Sequence, residues 1–308
     1  MNTRKLSPKS RLGLLTITFV LSVMIFGTIA LAAQVTYFQG FETDTNGWSA
    51  GATRVASGTN GVISADGSWH GQTSGGTLNA SGAFTNWGGY GGNAGCFTSA
   101  CAANTFPENG YVTSLDIYLD IDDLTVNDTR FDWSSAINEP SGIHRRDFVF
   151  NAGFYNDTDA TGTGPRFVIS ASNNATRSAA FPKNPAADPF TITAPGWYTF
   201  QHTFTDNGSG VLTVELAIID ADGMTLHTWT LSNPTDIINT TVGSNRYGWF
   251  ALQEIPNLAM DNAQRFDIQS QPTDKGQCKK GGWELVTNGN GEAFKNQGQC
   301  VKYVNTGK

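Results

Sequence analysis

Apolar and polar side chains alternate with a period of two through most of the chain after residue 33. The pattern is clearest in residues 111–122, where Leu115, Ile117, Leu119 and Ile121 alternate with mostly polar side chains. Successive side chains of a strand point to opposite faces of a sheet, so this segment is predicted to be a strand with one buried and one wet face. The same period predicts strands at 147–156, 166–172, 197–205, 212–219, 226–231, 249–254 and 258–268.

The segments between these strands are typical of turns and loops rather than helices. The sequence Asp-Asn-Gly-Ser-Gly at 206–210 predicts a hairpin turn. Two longer stretches are predicted to be irregular loops: 64–110, rich in Gly, Ser, Thr and Asn, and 173–195, which holds four prolines. Roughly a dozen strands within 34–268 predict an all-β fold, a jelly-roll β-sandwich.

The first 33 residues follow a different pattern. Four basic residues and no acidic one lie in 1–11, an almost entirely apolar run follows at 12–29, and Ala-Leu-Ala occupies 30–32. This order is typical of a secretory signal peptide, so the mature protein is predicted to begin at Ala33 or Gln34 and to be secreted. An uncleaved membrane anchor is the alternative, because the apolar run approaches the ~20 residues that span a bilayer.

Composition and charge narrow the choice of partners. Removing residues 1–33 removes four positive charges, which takes the formal net charge from −7 to −11. An acidic chain repels nucleic acids and anionic membranes, so neither is expected as a partner. We also expect the protein to be a monomer. The chain has 35 Gly, 19 Phe and 8 Trp but only 15% charged residues, which favours a sandwich with many turns.

All four cysteines follow residue 33, which predicts two disulfides in an exported protein. Three pairings are possible. The local one, Cys96–Cys101 and Cys278–Cys300, is preferred because the two pairs lie far apart in sequence. Neither pair has the spacing of a zinc site or a redox motif.

A separate C-terminal module is predicted at 278–308, joined to the sandwich by a linker at 269–277. The module is too short to bury a core without its disulfide. Trp283, Phe294 and Tyr303 are predicted to form its small core, or alternatively to contact another surface.

Short stretches of the chain resemble known families. Residues 38–48, Phe-Gln-Gly-Phe-Glu-Thr-Asp-Thr-Asn-Gly-Trp, resemble the opening strand of jelly-roll carbohydrate-binding modules and concanavalin-A-like domains. Residues 258–268 resemble their closing strand, and 197–220 are similar to the central hairpin of laminin-G-like sandwiches. The module at 278–308 resembles a short C-terminal segment found on diverse secreted bacterial proteins. The resemblance implies a fold more than a ligand.

The resemblance also implies a candidate metal site. In many such modules a Glu of the first strand and an Asp of the last help to hold a structural calcium ion, and Glu42 and Asp261 stand at those positions. Because Ca²⁺ takes ~6–8 oxygen ligands, backbone carbonyls would have to complete the site. The alternative is that Glu42 is a solvated strand end and that Asp261 caps a turn.

No catalytic signature stands out. Sandwich-fold hydrolases need two carboxylates across a cleft, and residues 118–122 read Tyr-x-Asp-x-Asp where family-16-type glucanases carry Glu-x-Asp-x-Glu. Residues 148–156 faintly echo a strand of sandwich-type alginate lyases, but the partner motif is missing and the order is wrong. The four histidines lack metal-binding spacing, and His202 is predicted to be a hydrogen-bonded core or rim residue.

Two surfaces are predicted to contact sugars. The first consists of rings in the Gly-rich region: Trp69, Trp87 and Tyr90. These rings could instead anchor loops to the sandwich edge. The second is the polar face of the sheet, predicted to present Asp116, Tyr118, Arg166, Gln201 and Glu215. Sugars bind through ring stacking and planar polar groups, although a polar outer face also needs no function.

These patterns lead to a secreted, non-catalytic protein that binds a polysaccharide, a glycan surface or another extracellular polymer. A polysaccharide-active glycoside hydrolase or lyase of the sandwich fold is the second hypothesis. A structural surface or adhesion protein is the third.

Overall fold

The structure is a computed structural model that describes residues 34–49, 51–87, 105–173, 181–279, 283, 286–288 and 294–307. The predicted signal peptide, Tyr90 and the Cys96–Cys101 pair lie outside the described residues. The described residues fall within one compact unit of the chain. No helix within the described ranges combines the length and the hydropathy needed to cross a bilayer.

The described residues contain sixteen strands and one α-helix. They are β1 Gln34–Gln39, β2 Ala52–Ala56, β3 Trp69–Thr73, β4 Phe84–Thr85, β5 Tyr111–Leu119, β6 Thr129–Asn138, β7 His144–Tyr155, β8 Thr158–Asp159, β9 Gly162–Thr163, β10 Arg166–Ser172, β11 Phe190–Ile192, β12 Gly196–Asp206, β13 Val211–Ile219, β14 Thr225–Ile237, β15 Asn245–Gln253, β16 Leu258–Asp267 and α1 Gln297–Thr306. Short 3₁₀ turns lie at Thr59–Gly61 and Pro185–Ala187.

Two antiparallel sheets stack as a sandwich. The eight-stranded sheet has the order β14-β13-β12-β5-β16-β3-β2, with β1 also paired to β16. The six-stranded sheet has the order β11-β10-β7-β6-β15-β4, and β8 and β9 form a separate hairpin. Phe200 of the larger sheet packs against Phe131 and Phe150 of the smaller one, with ring centroids 5.8 and 5.1 Å apart. The predicted all-β jelly-roll sandwich is confirmed.

The alternating stripes lie where the sequence predicted. Leu115, Ile117 and Leu119 of β5 are fully buried between the sheets, and Phe200 and Phe204 of β12 join them. This burial of apolar area is the main favourable term in folding.

His202 also faces the core and is fully buried. Its Nε2 lies 3.0 Å from the carbonyl oxygen of Phe148, as expected for a hydrogen-bonded core histidine.

The structure corrects the boundaries of two predicted loops. Residues 64–110 include β3, which pairs with β2 and β16 inside the larger sheet. A Cβ at Gly71 would lie 2.6 Å from the Phe41 ring, so this glycine provides close packing and does not mark a loop. Residues 173–195 include β11, which pairs with β10. The strand predicted at 111–122 ends at Leu119, and a turn follows.

Strand β6 was not predicted. Its core face carries Phe131 and Trp133, but Asp132 and Ser134 on the opposite face are also buried. When a strand is buried on both faces, its polar side chains no longer mark an exposed face, so the pattern of polarity does not reveal the strand.

The C-terminal segment is tied by the predicted Cys278–Cys300 disulfide, with Cα atoms 5.7 Å apart. Both cysteines are buried in a small cluster with Val286 and Phe294, and Trp283 and Tyr303 pack against it. The sequence did not predict the helix α1. The Asn296 side chain caps its start by accepting a hydrogen bond from the Gln299 amide at 2.9 Å, and Gly307 ends it with φ 68°.

Candidate functional site

A cavity of about 550 Å³ opens on the outer face of the eight-stranded sheet. We call it the sheet cavity. Strands β5, β12 and β16 form its floor, while the segment 61–65 and the turn between β13 and β14 form its sides. The side chains that matter below are Asp116, Tyr118, Trp197, Thr199, Asp220 and Asn262. Its size lies within the ~300–1,000 Å³ range of small-molecule sites.

Two aromatic rings line the sheet cavity side by side. Tyr118 and Trp197 are directly opposite each other in the pairing of β5 with β12. Their ring centroids are 5.5 Å apart and their planes are 68° apart. The Trp197 Nε1–H donates to the carbonyl oxygen of Ile63 at 2.7 Å, which fixes the indole against the 61–65 segment. Both rings remain partly exposed.

The carboxylate of Asp116 lies beside the rings and is held on both oxygens. The Thr199 hydroxyl donates to Oδ1 at 2.5 Å, and the Asn262 side-chain amide donates to Oδ2 at 3.0 Å. Burial raises the pKa of Asp116 above its ordinary value, although these two hydrogen bonds oppose the shift.

A bulge in β16 brings Asn262 to this position. The pairing of β16 with β5 shifts register between Asp261 and Gln264, and Asn262 adopts φ 47°. Asn tolerates this left-handed conformation better than most residues.

Glu42 and Asp261 hold the loop that forms one side of the cavity. Glu42 Oε1 accepts hydrogen bonds from the amides of Ser68 and Trp69, both at 2.9 Å. Asp261 Oδ2 accepts from the amides of Ala65 and Asp66 at 3.1 and 3.4 Å. Four backbone donors of one loop therefore depend on two carboxylates. We call this arrangement the loop clamp.

The loop clamp bears on the predicted calcium site. Asp261 Oδ1 also accepts from the Asn262 amide at 2.9 Å, so backbone donors occupy both of its oxygens. Within the described residues, no three His, Cys, Asp or Glu side chains come together to hold a metal ion. These two carboxylates supply fewer oxygens than calcium requires. Calcium binding stays a prediction.

The prediction of Trp87 as an exposed sugar contact is wrong, because Trp87 is fully buried in the core. Its ring packs edge-on against Trp133, with centroids 6.2 Å apart. A Cβ at Gly248 would lie 2.6 Å from both indoles, so a glycine on β15 makes room for them. The glycines that follow Trp87 in sequence suggested exposure, but the strand facing it decides its burial.

Arg166 is also corrected. It lies on β10 of the six-stranded sheet, away from the polar face of β5 and β12, and it is fully buried. Its Nη2 donates to Asp157 and Asp159 at 3.0 and 2.9 Å, and its Nη1 to the Gly164 carbonyl at 2.9 Å. Arg166 therefore holds the β8–β9 hairpin, and a sugar would have no access to it.

Trp69 lies outside the sheet cavity. The guanidinium of Arg54 sits 3.5 Å from its ring centroid and covers one face of the ring. Gln201 and Glu215 do lie on the outer face of the larger sheet, as predicted, but neither lines the cavity.

Of the cavity residues, the sequence predicted only Asp116 and Tyr118, and it missed Trp197, Thr199 and Asn262 among others. A signal for Trp197 and Thr199 was present. The apolar stripe of β12 runs through Tyr198, Phe200 and Phe204, which are buried, so the intervening residues must face outward. Asn262 gave no such signal, because the bulge breaks the alternation.

No protein-family model matches the sequence, and no curated protein matches it. Among solved structures, the carbohydrate esterase of Shiga toxin-encoding bacteriophage phi24B is 12% identical, with 76% of this chain and 99% of that chain covered and a TM-score of 0.41. The CBM2 module of the evolved Dit protein of Lactobacillus casei BL23 phage J-1 is 10% identical, covering 76% and 96%, with a TM-score of 0.37. Peanut lectin is 10% identical, covering 74% and 95%, with a TM-score of 0.35. Because these sequence identities and TM-scores are low, the fold assignment depends on the strand order and strand pairing of this chain itself.

Proposed function

We propose that this chain is a secreted, non-catalytic protein that binds a glycan in the sheet cavity. The observation that carries the proposal is the meeting of two partly exposed rings, Tyr118 and Trp197, with the polar groups of Asp116, Thr199 and Asn262 in one cavity. Sugars present C–H faces that pack on aromatic rings and hydroxyls that pair with planar polar groups. A cavity with both features suits such a ligand.

The disulfide between Cys278 and Cys300 is compatible with the proposed secretion, since such bonds persist in oxidising compartments. The basic and apolar pattern of residues 1–32 supports the same location.

A hydrolase is the second candidate, because Asp116 and Asp261 are paired on neighbouring strands and burial raises the pKa of both. Burial and the nearby charge of Asp116 raise the pKa of Asp261 to about 7, a value suited to a general acid. However, Asp261 is fully buried, and its oxygens accept backbone hydrogen bonds from the loop clamp. A group that cannot reach the substrate cannot protonate it, so binding without catalysis is the better account.

Glycan-array screening followed by calorimetric titration tests the proposal. We expect Trp197→Ala to weaken binding at least about tenfold, because a ring that stacks on a ligand contributes more than about 1.4 kcal/mol. Trp249→Ala is the matched control, since Trp249 is a partly buried indole on β15 of the other sheet.

The outcomes separate the hypotheses. Binding that depends on Trp249 and not on Trp197 would move the site to the other sheet. If no glycan binds the intact protein, the proposal fails and the adhesion hypothesis takes its place. Release of shortened sugars during the titration would favour the hydrolase.

A further inference from the structure

The charged side chains that line the sheet cavity carry a single sign. Among the described lining residues, Asp116 and Asp220 are acidic, and none is Lys, Arg or His. Asp116 forms part of the floor between the two rings and Asn262, while Asp220 lies at the turn after β13.

The groups around the sheet cavity strengthen this sign. Asp120, Asp122 and Asp123 follow Tyr118 at the end of β5. Burial is the largest cause that raises the pKa of Tyr118, and the negative charges of these three carboxylates raise it further. His70 lies behind the cavity, with its ring 6.0 Å from Trp197. Burial lowers the pKa of His70, so this imidazole adds no positive charge near pH 7.

The Arg54 guanidinium, close to Glu42 of the loop clamp, is already engaged. Arg54 Nε donates to the carbonyl oxygen of Phe41 at 2.6 Å, and its Nη2 donates to that of Glu42. Its guanidinium also covers the Trp69 ring, and neither Arg54 nor any of these partners lines the cavity. The charged groups that line the cavity among the described residues are therefore acidic, which favours a cationic ligand group over an anionic one.

We propose that the sheet cavity recognises the ammonium group of an amino sugar, in a glycan built from hexosamines with free amines. This inference depends on the proposed function, because it names the class of glycan that the cavity takes. An ammonium within about 6 Å of a Trp or Tyr ring gains cation–π attraction, and two rings set 68° apart can contact it from two sides. The Asp116 carboxylate beside them supplies the counter-charge.

The same arrangement discriminates against other glycans. A uronate or sulfated sugar would bring a negative charge next to Asp116 and Asp220, where no described lining residue offsets it. A neutral N-acetylated sugar would keep the stacking but lose the ion pair and the cation–π contact. At about 550 Å³ the cavity also exceeds what a small ammonium ion alone would fill.

Calorimetric titration with four probes tests the inference: a glucosamine tetramer, its fully N-acetylated form, a tetrameric uronate and choline. We expect the glucosamine tetramer to bind about tenfold or more tightly than the N-acetylated tetramer, which corresponds to one ion-pair and cation–π contribution. The uronate should not bind, and added salt should weaken the binding of glucosamine.

A pair of carboxylate variants locates the effect. Asp116→Asn should remove most of the preference for the free amine, measured as the ratio of the affinities of the glucosamine and N-acetylated tetramers for the variant against the same ratio for the unaltered protein. Glu215→Gln is the control, because Glu215 is an exposed carboxylate on the same sheet face outside the cavity. Comparing the probes on the unaltered protein keeps the test valid if Asp116→Asn does not fold.

The results distinguish the inference from the proposed function. If the N-acetylated tetramer binds as tightly as the amine and both need Trp197, glycan binding stands and the ammonium inference is wrong. Binding of the uronate overturns the inference as well. Binding of choline without any tetramer overturns the amino-sugar assignment, and no binding of any probe or array glycan overturns both proposals.

Discussion

Asp132 lies in the middle of β6 and is only 2% exposed, so its ionisable carboxyl group is buried in the protein. Burial raises the pKa of Asp132 to about 7, against the opposing effects of Asn151 and Arg130 and with a small addition from Glu254. The folded protein therefore keeps a proton on this group over a pH range in which the unfolded chain has lost it.

The stability of the protein should consequently depend on pH through Asp132. Between about pH 4 and 7, unfolding releases this proton, so the free energy of unfolding contributed by Asp132 falls as the pH rises. We expect Asp132→Asn to flatten this part of the curve, with a difference from the unaltered protein that grows to the order of a few kcal/mol by pH 7. Denaturant unfolding of both proteins from pH 4 to 8 measures it.

The other buried ionisable groups are the same in the unaltered protein and in Asp132→Asn. His202 acts in the opposite direction, because burial lowers its pKa to about 3 and the unfolded chain takes up the proton as the pH falls. Taking the difference between the two curves removes this contribution. Parallel curves across the whole range would show that Asp132 does not titrate as described.

Single residues were predictable where the alternation of a strand fixed their face. Asp116 and Tyr118 were assigned to a polar face because Leu115 and Ile117 had to be buried, and both line the sheet cavity. Arg166 was misassigned because its strand belongs to the other sheet, and sequence period alone does not say which strands share a sheet.

Between strands, the loop at 64–69 depends on the loop clamp. At pH 8, where Asp261 is ionised, we expect Asp261→Asn to speed hydrogen exchange at the amides of Ala65 and Asp66 by about five- to tenfold. A neutral amide oxygen accepts a weaker hydrogen bond than a carboxylate, by about 1 kcal/mol. Exchange monitored by NMR measures the effect at each amide.

Glu42→Gln is the matched variant, since it should speed exchange at Ser68 and Trp69 and leave Ala65 and Asp66 unchanged. Equal effects of both variants on all four amides would mean that the loop opens as one unit and that the two carboxylates do not act separately.

The predicted calcium ion is tested by thermal unfolding. A rise in the thermal midpoint of the protein on adding calcium would support the predicted ion, and an unchanged midpoint would remove that prediction.

Strands β12 and β13 have one buried face and one more exposed face, and both were placed to within a few residues. Strands β5 and β7 were placed as closely, because their apolar side chains recur at every second position, although Phe148–Tyr155 of β7 are buried on both faces. Strand β6 was hidden because its polar residues are buried. The helix α1 is ten residues long, and a sequence as short as this has little period to detect.

At the scale of the whole molecule, the C-terminal segment and the sandwich differ in what stabilises them. The sandwich has a large apolar core, whereas the segment has a small cluster around one disulfide. Hydrogen bonds join the segment to the linker that follows β16, from the Thr287 amide to the Ser270 carbonyl at 3.1 Å and from the Tyr303 hydroxyl to Gln271 at 2.8 Å.

We expect the double variant Cys278→Ser, Cys300→Ser to destabilise the C-terminal segment while the sandwich stays folded. The disulfide spans a sequence separation of 22 residues. Closing a loop of that length stabilises the folded segment by about 3 kcal/mol, more than a cluster this small can replace. Limited proteolysis with mass spectrometry should show cleavage within 286–307. Co-operative loss of the whole sandwich would instead make the segment part of its core.

The overall architecture could be predicted because the period of two recurs in many segments of 34–268, and this allows few folds. The sheet cavity could not, since it forms where β5, β12 and β16 meet the 61–65 segment, which lies far from them in sequence. Pairing of β5 with both β12 and β16 is a long-range property that local pattern does not encode.

A crystal structure of the protein with a bound glucosamine tetramer tests the central claim most directly. The account predicts a sugar ring against Tyr118 and Trp197, with its ammonium nitrogen within about 3 Å of an Asp116 carboxylate oxygen. A tetramer bound on the six-stranded sheet, or one held in the sheet cavity with its amines directed into solvent, would contradict it.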